Sequence, residues 1–320
     1  MKYDFITIGT AARDMFLFLD PHDAPVIINP RTDPKREKLI TLEFGAKIDV
    51  KDSHVLVGGG AVNSATTFVR SGFSVACAVS LGDDENAVAI EKELKKEKIS
   101  LSFVSRLRNV PTAFSVLLVA GSKKRDRVVL VERGASDFVN FSSLPKSIAG
   151  AKWYYTTALS GSGWKKEISV ISLTAKRHGI KWAWNPGLAQ LKEGKAAISK
   201  FMKNCEVFIL NRDEAIELLG KKDDPKTLVS ILIKMGPSRA IISDGQNGAH
   251  YMDFEGYRYI QAHKEIKAKE ATGAGDAFGS GFVVGLEKYK GDVDRALRAG
   301  IKNSESVIMK VGSREGIISL

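Results

Sequence analysis

Lys269-Glu270-Ala271-Thr272-Gly273-Ala274-Gly275-Asp276-Ala277-Phe278-Gly279 sets a carboxylate directly behind a turn of small residues, and an apolar, helix-like stretch follows. At the start of a helix the first N–H groups have no internal partner and the macrodipole is positive, so residues 272–275 can cradle a phosphate. A carboxylate beside such a cradle is a poor anion binder. It is suited instead to accept the proton of a hydroxyl that attacks phosphorus. A loop merely capped into a helix is the competing reading. Gly279, Gly281 and Gly285 recur among Phe278, Phe282, Val283 and Val284. Each costs about 1 kcal/mol relative to alanine inside a helix, which predicts a buried helix against which another backbone packs closely. Gly279-Ser280-Gly281 falls inside that helix rather than at a strand-to-helix turn, so it is no dinucleotide fingerprint.

Upstream, the apolar run at residues 5–9 predicts a buried parallel strand. Short strands at 75–79, 153–157, 181–184, 207–210 and 240–242 then alternate with helices at 61–70, 85–98, 165–178, 212–219 and 227–235. That alternation is the pattern of a doubly wound α/β layer, whose ligands bind beyond the carboxyl ends of the strands. Two regions depart from it. Leu42, Phe44, Ala46, Ile48 and Val50 alternate along 39–50, and 113–120 with 128–131 reads as a hairpin around the basic tip Lys123-Lys124-Arg125-Asp126-Arg127. Together they predict a small sheet with one wet face, a lid formed by 11–55 and 106–135 over a core formed by 1–10, 56–105 and 136–320.

Composition narrows the function. The 320 residues are 44% hydrophobic, enough for a sizeable core. No apolar run reaches the length of a membrane span and the start lacks a signal peptide's apolar region, so the expectation is a cytoplasmic chain with no membrane partner. The 48 basic against 37 acidic residues give a net charge of +11. The excess is dispersed: Lys92, Lys95, Lys96 and Lys98 interleave with Glu91, Glu93 and Glu97 on a solvated helix face, and the basic tip lacks interleaved aromatics, so no nucleic-acid partner is expected. Cys77 and Cys205 sit in apolar runs as core thiols, and five scattered histidines offer no zinc-hydrolase spacing.

Polar motifs fall at the strand ends. Gly58-Gly59-Gly60-Ala61-Val62-Asn63 lets backbone approach a ligand while Asn63 offers a donor and an acceptor to a polyhydroxy compound, or caps a helix. Asp14 can accept two hydroxyl hydrogen bonds or pair with Arg13. Asn211-Arg212-Asp213-Glu214 reads as a helix cap, and beside phosphates Asn211 and Glu214 can orient the waters of a magnesium ion. Ser243, Gly245 and Gly248 can support a nucleotide's phosphates and ribose, or form a plain β-turn. Asn185 can face a phosphate.

In that order the motifs resemble those of the PfkB/ribokinase family of carbohydrate and nucleoside kinases. Gly9 to Asp14 is similar to its early Gly-x-x-x-x-Asp; Gly58, Gly59 and Asn63 to its Gly-Gly-x-x-x-Asn; Asn211 and Glu214 to its magnesium motif. Ser243, Gly245 and Gly248 resemble its nucleotide loop, and 273–276 matches its Gly-Ala-Gly-Asp. The resemblance implies a ribokinase-like fold: a Rossmann-like doubly wound central sheet flanked by helices, with a small β-sheet lid. It implies an ATP- and Mg2+-dependent kinase in which Asp276 is the base and Gly273, Ala274 and Gly275 form the anion hole. Asp14, Gly58, Gly59 and Asn63 would contact a sugar or sugar-like substrate. Asn185, Ser243, Gly245, Gly248, Thr272 and Asn303 would contact nucleotide. A nucleoside kinase and a non-catalytic relative are the alternatives. Glu270 stands where many such enzymes carry Asp, a departure that bears on a monovalent-cation site. The open lid edge points to a homodimer.

Overall fold

The strand Tyr3–Ile8 is buried at every position but Asp4 because it enters the middle of a sheet with both faces covered. In the computed structural model, which describes residues 2–31, 37–121, 126–266 and 268–320, that sheet has nine strands. Their order is Gly256–Ile260, Ala249–Asp253, Arg239–Ser243, Val207–Asn211, Lys181–Trp184, Ala151–Thr156, Tyr3–Ile8, Val75–Leu81 and Ser100–Arg106. All neighbours are parallel except at one edge, where Ala249–Asp253 and Gly256–Ile260 add an antiparallel hairpin. Side chains alternate between two cores. Phe5, Trp153, Tyr155 and Ile209 face the helices Gly60–Arg70, Ala274–Lys288 and Val293–Ile308, whereas Ile6, Tyr154, Trp182 and Phe208 face Trp164–His178 and Pro225–Ile233.

The glycine-bearing helix is Ala274–Lys288, buried through most of its length. A Cβ on Gly285 would lie 2.5 Å from Cα of Ala296, and one on Gly281 3.2 Å from the Ala299 carbonyl oxygen, so these glycines admit the backbone of Val293–Ile308. Gly279 instead faces the Tyr155 hydroxyl. Cys77 and Cys205 are buried and unbridged, and burial pushes the Cys77 thiol up to about 12.

A separate four-stranded sheet has the order Val50–Gly58, Ala12–Leu19, Phe114–Ala120, Asp126–Glu132. The expected hairpin is there, its tip 122–125 lying outside the described residues. The strand expected over 39–50 is not. Lys38–Ile40 pairs with Val26–Ile28 in a two-stranded ribbon, and 41–49 carries no strand, with Leu42 and Phe44 exposed. Period-two alternation alone cannot make a strand without a partner edge. The partner role falls to Ala12–Leu19, where Phe16 and Phe18 meet Leu117 and Val119 in a small core of their own. Among the described residues no helix is long and apolar enough to cross a membrane.

Candidate active site

Gly273 takes a left-handed conformation, φ 80°, as the N-cap of Ala274–Lys288, and a Cβ there would lie 2.6 Å from the Ser313 carbonyl oxygen. Only glycine tolerates both demands. The cradle is narrower than 272–275. Thr272 gives both its N–H (2.8 Å) and its hydroxyl (2.5 Å) to Glu270 Oε1, and Ala274 N–H donates to the Ala271 carbonyl. Thr272 is therefore a brace for the turn rather than a phosphate donor. The N–H groups of Gly273, Gly275 and Asp276 make no backbone hydrogen bond among the described residues. In front of Gly275 the space is open. Three unclaimed donors at a helix N-terminus are chemically suited to receive an anion.

Asp276 stands at its edge, half-buried. Asn63 Nδ2 donates to its Oδ2 at 2.8 Å, and Asn63 Oδ1 accepts from the Ser313 hydroxyl at 2.9 Å. The Ser313 hydroxyl thus fixes the Asn63 amide with its donors toward the carboxylate. Asn63, expected at the substrate, first of all orients Asp276. Burial, and secondarily the Asp14 charge, raises the Asp276 carboxyl, while Asn63 pulls the other way.

Asp14 is buried on Ala12–Leu19, where the parallel register sets it beside Ser115, whose hydroxyl donates to Asp14 Oδ1. Ser115, and not Arg13, is its hydrogen-bond partner. Gly58 makes room for Oδ2, since a Cβ there would lie 2.1 Å from it. Gly59, at φ 97°, seats the next helix against Thr10 and Ala11. Burial raises the Asp14 carboxyl as well, with Glu270 and Glu315 adding repulsion. Thr10, Asp14, Gly59, Ser115, Arg127 and Thr272 line one cavity of about 230 Å³ between the two sheets.

Across this divide Arg127 Nε, from the lid strand, meets Glu270 Oε1 at 3.2 Å, with only 3% of the glutamate side chain exposed. The positive charge beside Glu270 is thus a guanidinium. Ser115, Ser313 and Arg127 escape sequence reading because nothing local marks a lone serine or arginine whose partner lies over a hundred residues away.

The residues expected at the nucleotide meet at two neighbouring strand ends, where Asn211 and Ser243 pair in register. Asn211 Oδ1 accepts from Glu214 N–H at 2.9 Å and Glu214 Oε2 accepts from Asn211 N–H at 2.8 Å, a reciprocal cap. Burial, with Asp276 as a further repulsive charge, pushes the Glu214 carboxyl up to about 7. That repulsion is what a divalent cation between phosphates and Glu214 would relieve, and one carboxylate suits an ion that keeps its waters. Among the described residues no three acidic, histidine or cysteine side chains cluster for a metal. Gly245 opens to free space, and Gly248 (φ 91°) turns the chain where a Cβ would strike the Ile260 carbonyl. Asn185 Nδ2 is tied to the Ile209 carbonyl at 2.9 Å, bracing adjacent strands. Asn303 does not belong to the site. It is fully buried, donating to Thr67 and the Ala277 carbonyl and accepting from Ile318 N–H, so none of its polar groups reaches a nucleotide.

The pfkB family carbohydrate kinase domain matches residues 31–319. A protein described as an uncharacterized sugar kinase from Archaeoglobus fulgidus is 26% identical over 253 residues, 78% of this chain and 96% of its own length. Ribokinase of Arabidopsis thaliana, solved with ribose and ATP, superposes with a TM-score of 0.80 at 15% identity, covering 100% of this chain and 96% of that one. The nucleoside kinase of Methanocaldococcus jannaschii superposes with a TM-score of 0.75 at 18% identity, covering 99% and 96%. With a domain match spanning nearly its whole length, the chain belongs to the pfkB family of carbohydrate kinases, enzymes that phosphorylate hydroxyl groups of sugars.

Proposed function

We propose that this chain transfers the γ-phosphoryl group of ATP to a primary hydroxyl of a sugar or sugar-like acceptor held in the cavity beside Asp14. The observation that carries the reading is the pairing of three unclaimed N–H donors with a carboxylate that Asn63 and Ser313 hold in place. Asp14 Oδ2 accepts a hydroxyl of the acceptor and so sets its distance from Asp276. Asp276 accepts the proton of the attacking hydroxyl late in a loose transition state, so a raised carboxyl helps without being required. The N–H groups of Gly273, Gly275 and Asp276 receive the charge on the migrating phosphoryl oxygens. Glu214, with Asn211 shaping its cap, would hold Mg2+, which supplies charge neutralisation between the phosphates. Ser243, Gly245 and Gly248 border the nucleotide, and Arg127 supplies the positive charge beside Glu270. The outward apolar side chains Val55, Val128 and Leu130 on the lid support a homodimer through that sheet.

The test is a panel of pentoses, hexoses and nucleosides with ATP and Mg2+, read by ADP formation and by the mass of the product. A phosphorylated alcohol is expected. Ligand-induced thermal stabilisation with no ADP formed from any acceptor would favour a non-catalytic relative instead.

A further inference from the structure

Beside the acceptor cavity lies a larger one of about 750 Å³, and Ser136 belongs to the wall of both. It opens beyond the carboxyl ends of Ala151–Thr156 and Ser100–Arg106, between the turn Gly134–Phe138 and the start of Trp164–His178. Its chemistry differs from that of its neighbour. The acceptor cavity sets Arg127 and Arg133 against its carboxylates Asp14 and Glu132, whereas the larger one is lined by two carboxylates, Asp137 and Glu167, and by neither lysine nor arginine. A phosphate or carboxylate substituent would meet uncompensated negative charge there.

What the cavity offers is a face and an edge. Phe138 is 57% exposed although it forms part of the wall, an apolar ring with no ring of its own to stack on among the described residues. Asn140 uses only its oxygen locally, accepting from the Ser142 hydroxyl and Ser143 N–H, which leaves the Nδ2 donors free. Asp137 accepts from the Ser160 hydroxyl through one oxygen and keeps the other. An uncharged planar ring with donors and acceptors on its rim answers this combination.

We infer that the acceptor of this kinase is a nucleoside, its ribose in the cavity beside Asp14 and its base in the adjoining cavity against Phe138. The inference rests on the proposed phosphoryl transfer and narrows its substrate class. Ser136, common to both walls, lies where the glycosidic bond passes.

The test compares kcat/KM for inosine, cytidine, free ribose and ribose 1-phosphate in the intact protein and in Phe138→Ala and Phe138→Trp. The expected result is at least tenfold preference for a nucleoside over both ribose and ribose 1-phosphate. Phe138→Ala should erase roughly tenfold of it and Phe138→Trp restore it, in keeping with the worth of one base stacked on an aromatic ring. Phe138 is exposed, so the variants should fold, as a thermal melt will check. Phosphorylation of ribose or ribose 1-phosphate as efficient as that of nucleosides, with the ratio unmoved by Phe138→Ala, overturns the inference and leaves the kinase reading standing. No ADP formation with any acceptor overturns both.

Discussion

Around Asp276 the hydrogen bonds join residues far apart in the chain, with 213 positions between Asn63 and Asp276 and 250 between Asn63 and Ser313, whereas the cap at Asn211 and Glu214 closes over three. The side proposed for the base and the acceptor is assembled by the whole fold. The side proposed for the nucleotide is closed by local turns and leaves open space at Gly245. The difference teaches where precision is needed. A hydroxyl must be placed to within a fraction of an ångström of a migrating phosphoryl group, while a triphosphate brings its own charge and can settle into a cradle.

Variants on the two sides should therefore differ in size and in kind. The largest of three effects is expected from Gly58→Ala, where the new Cβ would crowd Asp14 Oδ2 and lie 3.0 Å from the Ser313 hydroxyl oxygen. Displacing both should lower kcat/KM for the acceptor on the order of 100-fold, with ATP affinity little changed. An equal loss of ATP affinity would dissolve the contrast between the sides.

Arg127→Ala comes next. It strips the guanidinium from the buried Glu270 carboxylate, a loss of roughly 3 kcal/mol of stability by the usual cost of breaking such a pair. Chemical denaturation measures it. Because Glu270 also holds the Thr272 N–H and hydroxyl, steady-state kinetics should show kcat falling too. Unchanged stability together with unchanged kcat would show that the lid does not brace the anion hole.

The effect of opposite sign, confined to one end of the pH scale, belongs to Glu214→Gln. The folded carboxyl titrates near 7 against an ordinary value of 4.5, so its contribution to stability is fully present below about 4.5 and is lost as the pH rises through about 7. Melting temperatures measured from pH 4.5 to 8 should converge for protein and variant at the acid end, with the variant the more stable at the alkaline end. Parallel curves across that range would remove the buried charge from the nucleotide side.

The same contrast explains what the sequence made legible. Residues 273–276 and the cap at 211–214 are local patterns, and the glycines of Ala274–Lys288 announce a close neighbour without naming it. The doubly wound sheet follows from alternating elements whose lengths and apolar periods are written in the chain. Ser115 and Ser313 carry no such mark, since their roles exist only once distant strands and the C-terminal segment converge. Asn303 misleads for the same reason in reverse: a polar residue late in a helix looks available until Thr67 and Ile318 close around it. The lid strand misread at 39–50 shows that alternation specifies a face but not a partner.

Asp276→Asn tests the central claim most directly, because asparagine keeps the size and removes the proton acceptor. Single-turnover phosphoryl transfer with saturating ATP, Mg2+ and acceptor should slow by a factor of roughly 100 to 10,000. Calorimetry should meanwhile find ATP bound with nearly the affinity of the parent protein. Transfer at the parent rate, or a loss explained wholly by weaker ATP binding, would contradict the assignment of Asp276 as the base.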